Sequence, residues 1–123
     1  DGVCPRNLEK SAVIKSILLP LQREFRSSFH KLRQRQSLDF TSLTVAVSMD
    51  KNKKLKAVLG GVDPKPVVVE GNSNSKVEEI IKLALRSSRA IDNELFSRNY
   101  RRSMISVFLK RSFQQLIDNE IIF

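Results

Sequence analysis

The sequence has one cysteine, Cys4, and one histidine, His30, in 123 residues. A lone cysteine excludes an internal disulfide and a cysteine-rich zinc site, and a single imidazole beside it nearly excludes a His/Cys metal centre. No stretch approaches the ~20 consecutive apolar residues that a bilayer-crossing helix needs, so the chain reads as a soluble protein with no membrane partner. No basic-then-apolar segment opens it, and it starts at Asp1 rather than Met, so further chain upstream is expected. Glycine loops that cradle phosphates are missing too. There is no P-loop and no G-x-G-x-x-G, and Gly60-Gly61 is a bare diglycine suited to a strand end, a bulge or a close backbone approach. Adjacent carboxylates occur at Glu78-Glu79, where they open a helix and suit its dipole. A nucleophilic pair would have to join Cys4 to His30, far apart in sequence. Neither a catalytic residue nor a metal site is expected.

What the chain does have is a core and a charge. Its hydrophobic fraction of 41% is ordinary for a folded domain. A chain of this length buries roughly two-thirds of its unfolded surface, enough for one domain without staples. The formal net charge is +9 and the pI about 10.1. Such a field attracts nucleic acid, an acidic membrane surface or a phosphate-bearing cofactor. The excess is spread out. Eight basic and three acidic residues lie in 1–35, and nine basic and six acidic in 76–123, with near balance between. The one local run is Lys31–Arg35. No aromatic RNP motif and no GXXG loop accompanies it, so a basic nucleic-acid-binding α+β domain rests on charge alone.

Two periods divide the chain. Val13–Leu19 is apolar and β-branched and is closed by Pro20, which predicts a short strand. Gln22–Arg26 reads as a charged connection. Phe29–Arg35 alternates, with Phe29, Lys31, Arg33 and Arg35 on one side and His30, Leu32 and Gln34 on the other. Ser42–Met49 alternates again, with Leu43, Val45, Val47 and Met49 inward. With the polar turn Asp50–Lys54 and apolar Leu55–Leu59 it predicts a β-hairpin. Val67–Val69 extends briefly, and Gly71–Ser75 is a polar loop. The period then becomes 3.6. Val77, Ile80, Ile81, Ala84 and Leu85 form one helical stripe, and Ser75 with Glu78 matches a capping box. A second helix is expected over Ser97–Asn119, its apolar face supplied by Tyr100, Met104, Val107, Phe108 and Leu116 and widened by Ile105 and Leu109. Strands followed by helices predict an α+β fold, an antiparallel sheet of three to four strands with two helices packed on one face. Residues 1–10 are expected to be a flexible N-terminal segment, 11–118 the domain and 119–123 a C-terminal tail.

Four segments in order resemble a known family. Ile14–Pro20 looks like a domain-opening strand. Arg35–Val47, containing Leu38-Asp39-Phe40-Thr41-Ser42, and Leu59-Gly60-Gly61-Val62-Asp63-Pro64-Lys65-Pro66 follow. Ser97-Arg98-Asn99-Tyr100-Arg101-Arg102 with Leu109-Lys110-Arg111 completes the set. Together they resemble the C-terminal domain of the FAD-binding (medium) subunit of molybdenum hydroxylases, the family of xanthine dehydrogenase and carbon monoxide dehydrogenase. The resemblance spans residues 11–116. It implies a domain of an electron-transfer flavoprotein subunit in a cytoplasmic oxidoreductase, closing one side of the FAD pocket and aiding docking. Its partners would be upstream FAD-binding domains, the iron–sulfur and molybdopterin subunits or domains of the same enzyme, and NAD as an acceptor. The family's flavin-facing positions would correspond to Val13, Ile14 and Lys31. There an apolar residue shields the ring system and the ammonium stabilises negative charge on reduced flavin. Arg101 and Arg102, near a helix start where the dipole does not favour them, are expected to pin the helix to the sheet or to reach an inter-domain carboxylate. Arg33 and Arg35 face solvent, a neighbouring domain or a nucleotide phosphate.

Overall fold

The alternating stretches of the sequence become strands wherever a neighbour is available to pair with them. The computed structural model describes residues 9, 11–18, 25–36, 39–72 and 76–118. Within these, four strands precede two helices: β1 (Phe25–Leu32), β2 (Leu43–Asp50), β3 (Lys54–Gly60), β4 (Val67–Asn72), α1 (Val77–Ser87) and α2 (Arg98–Asp118). The sheet runs in the order β1-β2-β3-β4, each pair antiparallel. The α+β expectation holds.

The β2–β3 hairpin forms where its pattern predicts. Asp50 closes the turn twice: its carbonyl accepts the Lys53 N–H at 3.0 Å and its Oδ1 accepts the Lys54 N–H at 2.8 Å. Lys53 takes the left-handed conformation, φ 60°, that the tight reversal requires. Leu43, Val45, Val47 and Met49 point inward and are buried, opposite inward Leu55, Ala57 and Leu59 of β3.

Several boundaries differ from the sequence expectation. β1 starts at Phe25, so Phe25 and Arg26 belong to the strand rather than to a connection, while 22–24 lie outside the described residues. It ends at Leu32, not Arg35, because Asp39 takes up the following backbone. The Asp39 carboxylate accepts the N–H groups of Gln34 and Arg35 at 3.0 Å and of Phe40 at 2.8 Å. Those bonds, Arg35's first, hold its pKa below the usual carboxylate value. Arg33 and Arg35 therefore sit exposed on a loop. β4 continues to Asn72, taking Gly71 and Asn72 from the expected loop. Residues 13–18 adopt no strand, with Val13 at 89% and Ile14 at 65% exposure. Strand propensity is realised by pairing, and this segment pairs with no strand of the sheet. Leu19 and Pro20 lie outside the described residues.

The helices cover one face. α1 buries Ile80, Ile81 and Ala84 and contacts β4 and α2, while α2 contacts β1 and β2. The α1 N-cap is Lys76, which makes no side-chain cap; the expected capping box rests on Ser75, outside the described residues. Ser97 caps α2, its Oγ accepting the Tyr100 N–H at 3.3 Å, and Asp92 Oδ1 accepts the Arg98 N–H at 2.6 Å. The buried stripe of α2 is Arg101, Ile105, Phe108, Leu109, Ser112, Phe113 and Leu116. Tyr100 is 46% exposed, and Met104 and Val107 are half-buried at the margin. The stripe is rotated from the apolar face expected because two polar residues, Arg101 and Ser112, occupy its interior.

Candidate functional site

Two places stand out: a buried junction at the start of α2 and the uncovered face of the sheet. Arg101 makes the first. It lies one turn into α2, is 3% exposed, and spends its guanidinium on backbone carbonyls from three separate segments. Nη1 donates to Ile91 O at 2.7 Å, Nη2 donates to Ser42 O at 2.6 Å, and Nη2 also donates to Gly61 O. Nε is buried without a hydrogen-bond partner among the described residues. Burial lowers the Arg101 pKa, and the group stays a cation because guanidinium starts so high.

The surrounding residues are shaped to this contact. Gly61 has φ 78°, and a Cβ there would stand 2.9 Å from Ser42 O, the carbonyl that Arg101 also engages. The diglycine thus serves a close backbone approach. Asn93 Nδ2 donates to Ser42 Oγ at 3.2 Å, and Asn93 Oδ1 accepts the N–H groups of Leu95 at 3.1 Å and Phe96 at 2.7 Å. Arg89 Nε lies 3.6 Å from Asp63 Oδ2, tying the α1–α2 loop to the Asp63-Pro64 turn. The expectation that Arg101 pins helix to sheet is met; Arg102 is half-buried beside it. Hydropathy did not reveal that Ser42 and Asn93 belong to the same junction, since neither carries a motif of its own.

The open face holds the second place. Because the strands are in register, Phe29, Ala46, Val58 and Val68 form one apolar row across all four strands. Phe29 and Val68 are 56% and 50% exposed. Lys31 is the next outward residue of β1, with Nζ 5.8 Å from the Phe29 ring centroid. At the far end Lys56 pairs with Glu70 at 3.5 Å, an exposed contact. There a cleft of about 640 Å³ is lined by Phe25, Asp50, Lys54, Glu70 and Asn72 among others. Of the three residues expected from the resemblance to face flavin, Lys31 is seated in the sheet. Val13 and Ile14 are exposed outside it, so the three do not form one wall among the described residues.

No family model matches the sequence, and no curated protein matches it. Among solved structures, the chain is similar in fold to the crystal structure of Cu,Mo-CO dehydrogenase in its cyanide-inactivated form. The match has a TM-score of 0.62 at 19% identity and covers 76% of this chain. It covers 37% of that protein's chain, so the sequence here corresponds to little more than a third of its length. At that identity the likeness establishes a shared fold. No helix among the described residues is long and apolar enough to cross a membrane.

Proposed function

We propose that this chain is the C-terminal domain of the FAD-containing electron-transfer subunit of a molybdenum hydroxylase, an oxidoreductase of the xanthine dehydrogenase and carbon monoxide dehydrogenase kind. The observation that carries the reading is the Arg101 junction. Three segments that resemble the family in sequence are far apart along the chain, and one guanidinium binds two of them to the third: Ser42 and Gly61 to the Tyr100-Arg101-Arg102 helix. Motifs that resemble a family one by one gain weight when they are also one physical unit. The fold likeness to Cu,Mo-CO dehydrogenase supports the same assignment.

The domain's part would be to close one side of the flavin pocket and to dock the neighbouring domains. Its residues fit one wall of such a pocket. The open face offers a cation, Lys31, beside an exposed aromatic ring, Phe29, above an apolar row. They do not supply a phosphate cradle, because Gly60 and Gly61 are filled by contacts with Thr44 and Ser42. FAD held mainly by upstream domains would relay electrons from iron–sulfur clusters towards an acceptor such as NAD. The role of Lys31 would be to place positive charge against the polar edge of the ring system. Val13 and Ile14 would reach the ring once an upstream domain orders their segment against the sheet.

The test is flavin retention in the longer protein that this reading requires. Lys31→Ala should lower bound FAD or shift its reduction potential, and Lys31→Arg should preserve more of both. Unchanged flavin content and potential in Lys31→Ala would remove Lys31 from the pocket.

A further inference from the structure

The sole histidine of the sequence sits on the opposite side of the strand that carries Lys31. β1 turns Phe29 and Lys31 to the open face and Ser28, His30 and Leu32 to the helices. The His30 ring is half-buried and stacks on Phe108 of α2, with centroids 5.2 Å apart and planes inclined by 12°. Ser28 Oγ donates to Gln115 Oε1 at 2.6 Å and lies 3.4 Å from His30 Nε2. These two residues tie the edge strand to the middle and the C-terminal part of α2. On its other edge β1 has no further strand among the described residues.

We propose that His30 is a proton-sensitive latch: the neutral ring keeps edge strand β1 seated on α2, and its protonation loosens that strand together with the outward face bearing Phe29 and Lys31. The groups around the ring favour neutrality. From β2 comes Val45, its cross-strand partner, between inward Leu43 and Val47. From α2 come Phe108, Gln115 and the cation Arg111. On β1 the same side carries Ser28 and the cation Arg26. None of these is a carboxylate. The Phe108 ring face would attract an imidazolium, which opposes the others. Burial, and then Arg111, nevertheless lower the His30 pKa from its ordinary 6.5. The sign follows. With a folded value below the unfolded one, the latch contribution is complete above pH 6.5 and is lost as pH falls towards the folded value. The latch concerns the strand itself; only its consequence for a flavin rests on the function proposed above.

The experiment uses this chain. Because the sequence has one histidine, its imidazole resonances titrate without ambiguity in NMR. The expected result is a midpoint below 6.5. Protection of the Phe29 and Lys31 amides should then fall as pH drops, up to tenfold for each pH unit between that midpoint and 6.5. Amides of β3 should keep more of their protection. His30→Phe, which keeps a ring against Phe108, should abolish the β1 response. A midpoint at or above 6.5, an equal loss in β1 and β3, or an unchanged response in His30→Phe would each overturn the latch. Flavin binding enters none of these readouts, so failure of the latch and failure of the flavin assignment are seen separately.

Discussion

The two faces of the sheet are built from the same four strands and treat side chains in opposite ways. The inner face brings Leu43, Val45, Val47 and Leu59 into one core with Ile105 and Leu109 of α2, all at most 1% exposed. The outer face lines up Phe29, Ala46, Val58 and Val68, and leaves Phe29 and Val68 half exposed. One face stabilises the domain; the other presents an apolar row bordered by charge. The difference separates residues whose loss should unfold the chain from residues whose loss should leave it folded and alter only the surface proposed for docking.

Substitutions across the two faces should divide accordingly. Leu109→Ala opens a cavity under α2 and should cost about 4 kcal/mol in urea unfolding. Arg101→Met strands the carbonyls of Ser42, Gly61 and Ile91 in the junction and should cost about 3 kcal/mol by the same measurement. Gly61→Ala meets both a left-handed backbone and Ser42 O, for about 2 kcal/mol. On the open face, Phe29→Ala should change stability by no more than about 0.5 kcal/mol, since its ring is half exposed already. A large loss in Phe29→Ala, or a negligible one in Arg101→Met, would erase the distinction between the faces.

Much of the inner face was legible in the sequence. Alternation in 42–59 and the 3.6-residue stripe from Val77 to Leu85 each report a single dominant force, burial of apolar side chains, and both elements formed as expected. The α2 stripe was less legible. Its centre includes Arg101 and Ser112, and a pattern built on hydropathy turns away from a buried polar residue. The early end of β1 was hidden for a related reason: the Asp39 carboxylate diverts the backbone of Gln34 and Arg35, and no side-chain period records that. Val13–Leu18 shows the opposite failure. Its β-branched residues announce a strand, but pairing needs a partner that the sheet does not provide. In the candidate site, the Tyr100-Arg101-Arg102 motif pointed to the pin correctly. The identity of what it pins, Ser42 and Gly61 backbone, emerged only from the fold.

The open face is where the proposed flavin and docking role would act, and chemical labelling of Lys31 tests that role most directly. In the isolated chain Lys31 is exposed and should react readily with an amine-specific reagent. In the longer flavin-loaded protein its labelling should fall at least several-fold, and it should recover when the flavin is removed. Labelling of Lys31 that is the same in the isolated chain and in the longer protein, with and without flavin, would contradict the account.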